Sequence, residues 1–510
     1  MTTEPLPSEP SAPEPPFTGP LPADLLVTDG TVVTMNARRE VLTGAAIAVA
    51  GGRIAAIGTA ADLRARHPGT PELDARGCVV VPGLVNAHQH LTVDPLIRSV
   101  IPDDLPAQEA IFGWAVPLHA LVSGDDDELS AALTATESLL RGVTTVLEPG
   151  TVAHPGRVAA GLLAAGIRGR VGGWGWDAPD VPFGLPAAEA LARQEEIVRS
   201  LPATGPVTGW VTLVGHDLVT DELFTGAAEL AGRLGTHLTF HMSPGPGDAE
   251  AYLERTGARP LVHLNRLGVL GPRVLLGHAV WLDDAEVDAV LATRTAVASC
   301  PGAYTRLGQG YVRAGRHGEL VRRGGRVALG CDSHNAGDAP DVLRAAGLLA
   351  ALENDRGAWP LAAAEAFELA TRAGAEAVGL GDLTGSLEPG KAADLAVLDT
   401  RDPSWAPAGD LATHLVWGAP SHTVRDVVVD GKVVVRDRRV TTVDTDALRA
   451  EAAHRSAALL RAAGLEVPSR WPVLPAESSG PPPALPRSFP SLPSPSLPSS
   501  PTSLADRKDH

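Results

Sequence analysis

The feature that most constrains the fold is a long central region in which short apolar runs alternate with Ala- and Leu-rich helical stretches, for example at 221–234 and 283–292. Such alternation is typical of βαβ units, in which helices connect parallel strands and cover the sheet. The candidate strands are 78–84, 144–148, 168–172, 210–214, 237–241, 274–278, 296–299 and 327–331. Eight strands with intervening helices predict an α/β fold of the (β/α)8 TIM-barrel type.

Short β-type runs punctuated by Gly and Asp lie on both sides of this region, at 24–58 and again at 395–435. Either set alone is too small to bury a core. We therefore expect one small β-sandwich built from both ends, with parts at 23–80 and 376–445 flanking a barrel at 81–375. A C-terminal helix and extension are expected at 446–474. Residues 1–22 and 475–510 are Pro-rich and are predicted to be disordered.

The overall charge and the cysteines exclude several classes of protein. The 510 residues carry a formal net charge of −18, which disfavours nucleic acid and anionic membranes as partners. No apolar stretch reaches the roughly 18 residues of a membrane span, and the Pro/Glu-rich start does not resemble a signal peptide. Cys78, Cys300 and Cys331 lack CxxC spacing and indicate reduced core thiols. We expect a cytoplasmic protein.

Side chains with metal-ligand chemistry stand at the ends of the apolar runs. The first run leads into His88-Gln89-His90, and alternate residues of an extended segment point the same way, so His88 and His90 should project together. His241 and His278 end later runs, and Asp332 follows the last. Chemistry in such barrels lies where the strands end, and imidazole nitrogens suit zinc, iron and similar ions. The five groups together predict a metal site.

This pattern resembles the amidohydrolase superfamily, in the branch of cytosine deaminases, guanine deaminases and triazine hydrolases. The likeness extends to Val81-Pro-Gly-Leu-Val-Asn-Ala-His-Gln-His and to the segment at 377–399. The resemblance implies one divalent ion, zinc with iron or manganese as alternatives, bound by His88, His90, His241 and Asp332. It implies that Asp332 shuttles a proton and that His278 contacts the attacking water or the substrate. It also implies a small-molecule substrate and a homodimer.

Three hypotheses for the function follow. The first is a hydrolase that cleaves a non-peptide C–N bond of a small molecule with a metal-activated water. The second is a deaminase or dechlorinase of a nitrogen heterocycle. Release of ammonia from a heterocyclic amine would distinguish a deaminase from the first hypothesis. The third is a degenerate barrel that binds a ligand without catalysis. The intact set of ligands places this third hypothesis last.

One position separates the first two hypotheses. Pro244 stands where the deaminase branch has a Glu that protonates a ring nitrogen of the substrate, and proline has no side-chain proton to give. Ring deamination would require Asp248 or Glu250 to take over this role. The candidate substrate contacts, for each of which a structural role is the alternative, are His216, Tyr304, His334 and Asn335. His263 is predicted to be a helix residue away from the site. Trp174 and Trp176 are predicted to pack in the core, with a place in the pocket wall as the alternative.

Overall fold

The computed structural model describes residues 23–179, 181–465, 467 and 471. The strands are β1 (Leu25–Val33), β2 (Val41–Ala50), β3 (Arg53–Thr59), β4 (Glu72–Asp74), β5 (Cys78–Pro82), β6 (Leu84–Asn86), β7 (Val143–Leu147), β8 (Arg168–Val171), β9 (Val207–Gly209), β10 (Val211–Gly215), β11 (Leu238–Met242), β12 (Val274–His278), β13 (Ala296–Ser299), β14 (Arg326–Leu329), β15 (Leu395–Asp399), β16 (Val424–Val429), β17 (Lys432–Arg436) and β18 (Arg439–Val440). The predicted disordered segments, 1–22 and 475–510, lie outside the described residues.

Helices connect most of these strands. They are α1 (Ala60–Arg66), α2 (Val116–His119), α3 (Gly124–Leu139), α4 (Pro155–Ala165), α5 (Ala187–Ser200), α6 (Asp221–Arg233), α7 (Gly247–Thr256), α8 (Pro260–Arg266), α9 (Asp284–Thr293), α10 (Pro301–Arg306), α11 (Tyr311–Ala314), α12 (His317–Arg322), α13 (Val342–Arg356), α14 (Ala363–Ala370), α15 (Arg372–Ala377), α16 (Leu411–Thr413) and α17 (Thr445–Ala463). Within the described residues, no helix is both long enough and apolar enough to span a membrane.

Strands from the two ends of the chain combine in one nine-stranded sheet, in the order β18-β17-β16-β15-β5-β1-β2-β3 with β4 paired to β1. β5 joins the two sets because it runs parallel to β1 and antiparallel to β15, where Val80 lies opposite Val397. The sheet buries an apolar cluster that includes Val27, Ile47 and Leu395. The predicted union of both ends in one small β domain is confirmed.

The central strands form the predicted (β/α)8 barrel. Parallel pairs run from β6 to β9 and from β10 to β14, and β9 and β10 share the place of one barrel strand, interrupted at Trp210. The Trp210 amide donates to the Val171 carbonyl at 3.2 Å, and the Ala87 amide donates to the Leu329 carbonyl at 2.8 Å. These two bonds join the group of strands β6 to β9 with the group β10 to β14. The carboxyl ends of the strands therefore surround one mouth.

The predicted first barrel strand, 78–84, is two strands rather than one. β5 ends at Pro82 in the terminal sheet, and β6 begins at Leu84 in the barrel. The residue between them, Gly83, passes so close to β7 that a Cβ there would lie 2.0 Å from Thr144 Oγ1. Because β5 and β6 are both apolar and fully buried, hydrophobicity gave no sign of the break, and only the Pro-Gly pair marked it.

Two of the helices outside the barrel, α6 and α9, begin at capping side chains, and α6 buries one apolar face. The Thr220 side chain accepts a hydrogen bond at the start of α6, and Asp283 forms a capping box with Glu286 at the start of α9. The side chains that α6 buries recur at intervals of one helical turn: Leu223, Phe224, Ala227, Leu230 and Ala231. The helices predicted at 221–234 and 283–292 are thus confirmed to within one residue.

A buried ion pair connects the barrel to the terminal sheet. Arg168 in β8 donates from Nε to Asp394 Oδ2 at 2.9 Å and from Nη2 to Asp394 Oδ1 at 3.2 Å. The same Oδ1 accepts the Asp430 amide at 2.7 Å. Arg168 and Asp394 are both buried, so each ion depends on the other for the solvation that it loses on folding.

Candidate metal centre and active site

Two histidines enter the mouth of the barrel from the segment that follows β6. Gln89 lies between them and anchors the segment. Its backbone amide donates to the Leu147 carbonyl at 2.9 Å, and its side-chain Nε2 donates to the Asp332 backbone carbonyl at 2.5 Å. His88 and His90 consequently lie close together, with ring centroids 5.3 Å apart. This is the arrangement that the alternation of an extended segment predicts.

Five groups from four strand ends converge at this mouth. His90 Nε2 lies 3.3 Å from His241 Nε2 and 3.5 Å from Asp332 Oδ1, and His278 Nδ1 lies 3.9 Å from Asp332 Oδ2. Two overlapping sets, each with ligand atoms within 4.8 Å of one another, share His88: one is completed by His90 and His241, the other by His278, Cys300 and Asp332. All five predicted residues are therefore brought together.

Hydrogen bonds orient two of the imidazoles toward the centre of the cluster. His241 Nδ1 lies 2.8 Å from the Val214 carbonyl, which only accepts, so the proton is on Nδ1 and the lone pair is on Nε2. His90 Nδ1 lies 2.7 Å from Thr151 Oγ1. His88 has no hydrogen-bond partner for either ring nitrogen among the described residues, although both nitrogens are buried. Buried nitrogens without partners fit a bound cation.

The electrostatics of the cluster also favour a cation. Burial and the neighbouring histidines hold the pKa values of His88, His90 and His278 well below the ordinary range. Burial, reinforced by His216, lowers the pKa of His241 to about 3. The imidazoles are therefore neutral at neutral pH and their lone pairs are free. Burial raises the pKa of Asp332 to about 7, since a carboxylate here lacks a positive partner.

Three site residues have left-handed backbone conformations. The φ values are +57° at His216, +77° at His278 and +63° at Asp332. Residues other than glycine adopt this region at a cost, and they do so most often at functional sites that the surrounding fold over-determines. All three of these residues line the cavity at the mouth of the barrel.

A cavity of about 800 Å³ opens above the cluster. Its lining includes His90, His241, His278 and Asp332. The apolar and aromatic lining includes Ile101, Ile111, Phe112, Trp174, Trp176 and Trp281. The volume and the mixed polar and apolar lining suit a small molecule.

The comparisons with known proteins agree with this geometry. The family model described as "Amidohydrolase family" matches residues 79–434. The chain belongs to the amidohydrolase family. A model described as an imidazolonepropionase-like composite domain of bacteria also matches residues 45–69, in the terminal sheet. The predicted superfamily is confirmed.

Several relatives of this amidohydrolase have named activities. A 5-methylthioadenosine/S-adenosylhomocysteine deaminase of Syntrophobacter fumaroxidans is 32% identical over 426 residues, 83% of this chain and 95% of that protein. The enzyme of the same name from Pelotomaculum thermopropionicum is 30% identical over 450 residues, covering 86% of this chain and 99% of that one.

Solved structures share the whole fold of the amidohydrolase. A zinc-bound adenosine deaminase from Xanthomonas campestris is 29% identical, with a TM-score of 0.80 over 87% of this chain and 100% of that one. Atrazine chlorohydrolase TrzN from Arthrobacter aurescens, complexed with zinc, is 24% identical, with a TM-score of 0.77 over 86% of this chain and 100% of that one. The second likeness concerns the fold alone.

In the segment after β11 of this amidohydrolase, two carboxylates could replace the Glu that is absent at Pro244. Pro244, Asp248 and Glu250 all line the cavity, but Asp248 is directed inward: its Oδ2 accepts the Ser243 amide at 2.6 Å and lies 2.9 Å from His216 Nδ1. Burial opposes charge on His216, yet the Asp248 carboxylate raises the pKa of His216 above its ordinary value. Of the two carboxylates that the sequence left open, Asp248 forms a dyad with a cavity histidine.

The four predicted substrate contacts divide into two pairs. His216 and Asn335 line the cavity, and Asn335 Nδ2 donates to Asp94 Oδ1 at 2.9 Å. Tyr304 and His334 do not line the cavity among the described residues. Tyr304 lies behind the wall, where its Oη accepts the Cys300 amide at 2.7 Å. His334 is fully buried, and its Nε2 lies 3.4 Å from Glu137 Oε2, although its neighbours Ser333 and Asn335 line the cavity.

Sequence reasoning also missed several cavity residues. The segment at 106–119, which includes a π-helical turn at Glu109–Ala115, contributes much of the apolar lining, including Ile111 and Phe112. Trp174 and Trp176, for which the sequence favoured core packing over the pocket wall, are buried and also line the cavity. Cys300, predicted to be a reduced core thiol, is free and buried but also lies beside the ligand cluster, and burial raises its pKa well above the usual range. No periodicity in the sequence distinguishes these positions from ordinary core or loop.

Proposed function

We propose that this amidohydrolase is a hydrolytic deaminase of a purine-type nucleoside, with one zinc-type ion bound by His88, His90, His241 and Asp332. The observation that carries the proposal is the convergence of neutral, buried imidazoles and one carboxylate at the barrel mouth, with His88 lacking any other described partner. Three imidazoles and a carboxylate suit zinc, with iron and manganese as alternatives. A bound ion would supply a water whose pKa is lowered to about 7.

The residues of the chain provide the proton transfers. Asp332 lies between His90 and His278, where its carboxylate can accept a proton from the attacking water and return it to the departing amino nitrogen. His278 faces Asp332 from the opposite side with a buried Nδ1 that has no described hydrogen-bond partner, and we assign it to the oxygen of the attacking water. Ammonia and the oxo product leave, and Asp332 is again a carboxylate.

The His216–Asp248 dyad supplies the proton that a Glu at the position of Pro244 would otherwise give. Asp248 holds the His216 ring by Nδ1 at 2.9 Å, and His216 lines the cavity next to His241. His216 can thus donate from Nε2 to a ring nitrogen while water attacks the adjacent carbon, and it regains a proton from the hydroxyl group of the adduct as the carbonyl forms and ammonia leaves. The dyad therefore supports ring deamination, although Pro244 itself has no proton to give.

The substrate class rests on the cavity and on the relatives. The relatives named 5-methylthioadenosine/S-adenosylhomocysteine deaminase and the zinc-bound adenosine deaminase favour an adenine nucleoside. The tryptophans Trp174 and Trp176 stack at 5.0 Å in the cavity wall and offer an apolar surface for a base or a thioether substituent.

The first experiment measures metal content and ammonia release together. We expect about one zinc, iron or manganese per chain, and ammonia from adenosine or 5-methylthioadenosine. His88→Ala should lose both. The matched control is His263→Ala, since His263 lies in α8 and bonds Asp221 at 2.8 Å; it should keep both. A protein without metal after reconstitution would contradict the proposal and restore the hypothesis of a binding protein.

A second candidate is hydrolysis of a cyclic amide or amidine, which needs only the ion and Asp332. Pro244 favours this candidate because it removes the usual ring-nitrogen donor. Metal-loaded protein that opens lactams but releases no ammonia from adenine nucleosides would support it over deamination.

We also propose a cytoplasmic location and a homodimer. All three cysteines are unpaired and buried, which suits a reducing compartment. The homodimer follows only from the family resemblance, and light scattering on the purified protein would test it.

A further inference from the structure

A buried carboxylate with no role in the proposed chemistry lies at the end of β7. Glu148 is fully buried, and its oxygens accept hydrogen bonds from two segments. Oε2 accepts the Leu91 amide at 2.7 Å, directly after His90. Oε1 accepts the amides of Gly150 and Thr151 at 2.9 and 2.8 Å. The carboxylate therefore connects the ends of the first two barrel strands.

Thr151 extends this connection to a candidate ligand. Its Oγ1 lies 3.2 Å from Glu148 Oε1 and 2.7 Å from His90 Nδ1. A carboxylate that already accepts three amides is an acceptor for the hydroxyl proton as well, so the hydroxyl donates to Glu148 and accepts from His90. This direction places the His90 proton on Nδ1 and leaves Nε2 facing His241 and Asp332.

We propose that Glu148 and Thr151 are positioning residues that fix the tautomer and ring orientation of His90 and thereby set the affinity of the site for its metal ion. The inference rests on the proposed metal centre, but it concerns residues that touch neither the ion nor the reacting atoms. Hydrogen bonds of this kind to the second nitrogen of a ligating histidine govern metal affinity in general.

The dependence on side chains is specific to His90. His241 is oriented by a backbone carbonyl, that of Val214, which no substitution removes. His88 has no described partner at either ring nitrogen. A single hydroxyl therefore controls one ligand, and its removal should weaken metal binding without disturbing the other ligands.

The test compares Thr151→Val, which keeps the shape and loses the hydroxyl, with Thr151→Ser, which keeps the hydroxyl. Zinc affinity is measured by competition with a chelator. We expect a loss of about 10- to 100-fold in Thr151→Val, near wild-type affinity in Thr151→Ser, and similar melting temperatures for both. Glu148→Gln should also weaken zinc binding. If Glu148→Gln weakens it while Thr151→Val does not, the connection through Thr151 is refuted.

A second measurement does not depend on zinc. Nitrogen-15 NMR of labelled histidines in the metal-free protein reports the His90 tautomer, which should be Nδ1–H in wild type and Thr151→Ser and should change in Thr151→Val. An unchanged tautomer in Thr151→Val would overturn the inference. A wild-type protein that binds no zinc but shows the tautomer change would instead refute the proposed function and leave the positioning role standing.

Discussion

Individual histidines in this protein differ in role because their neighbours differ. His88 and His90 are buried beside other imidazoles and are held neutral. His216 is partly buried and faces the Asp248 carboxylate, which favours its charged form. His263, predicted to be a helix residue, lies in α8. One residue type thus provides candidate ligands, a candidate proton donor and a structural contact. The burial and the charged neighbours of each histidine determine which role it takes.

A histidine outside the active site should control part of the stability in acid. Burial and the nearby Arg170, Arg326 and Arg273 lower the pKa of His237 to about 3. In the unfolded chain the pKa is about 6.5, so the unfolded state binds the extra proton between these values. Stability contributed by neutral His237 is complete above pH 6.5 and decreases as the pH falls toward 3, by at most about 1.4 kcal/mol per pH unit.

We therefore expect His237→Gln to show a smaller drop in melting temperature from pH 7 to pH 5 than wild type. His454→Gln, at an exposed position of α17, is the matched control and should behave as wild type. Equal drops in wild type and His237→Gln would show that the site does not contribute.

At the scale of elements, the ends of the short strands are determined by the strands with which they pair. The apolar run from Cys78 to Asn86 is divided between two sheets because β5 finds partners in β1 and β15, whereas β6 pairs with β7. The place of the break is dictated by the approach of Gly83 to Thr144. A residue with a side chain at this point would separate the barrel from the sheet.

Gly83→Ala should accordingly be strongly destabilising. Its Cβ would lie 2.0 Å from Thr144 Oγ1 in a buried region, and overpacking of this kind costs about 1–3 kcal/mol or more. Gly156→Ala is the control: Gly156 lies in α4, is exposed, and has no neighbour within 4 Å of the position that an added methyl group would take. We expect a small gain there, about 0.5–1 kcal/mol. Thermal or denaturant unfolding measures both, and equal stabilities would contradict the steric argument.

At the scale of the whole molecule, the barrel and the terminal sheet are joined by apolar packing and by one buried ion pair. Arg168 projects from barrel strand β8 to Asp394, which precedes β15. Asp430, at the end of β16, completes the arrangement with a carboxylate whose side chain is 44% exposed. The two acidic partners of Arg168 therefore differ in burial, and their removal should have different consequences.

Asp394→Ala should destabilise the protein by about 3–5 kcal/mol because it leaves the Arg168 guanidinium buried without its partner. Asp430→Asn should cost at most about 1 kcal/mol, since that pair is half exposed to solvent. Melting temperatures of the two variants test this directly. A smaller effect at Asp394 than at Asp430 would mean that the pair does not connect the two parts.

The sequence predicted the barrel, the joining of both chain ends and the positions of the converging groups. These features depend on local periodicity and on the rule that parallel strands end at one face, both of which are visible in residue order. His88, His90, His241, His278 and Asp332 could be found because each stands where an apolar run stops. The division at Gly83 was missed because both sides of it are equally apolar.

Only the tertiary structure determined the contacts between segments that are far apart in the chain. Asp248 meets His216 across 32 residues, and Thr151 meets His90 across 61. Tyr304 and His334 lie outside the described cavity lining, although Ser333 and Asn335 on either side of His334 belong to it. Periodicity fixes which face of an element is apolar. It does not fix which loops meet above a barrel, because that depends on the packing of all the strands and helices at once.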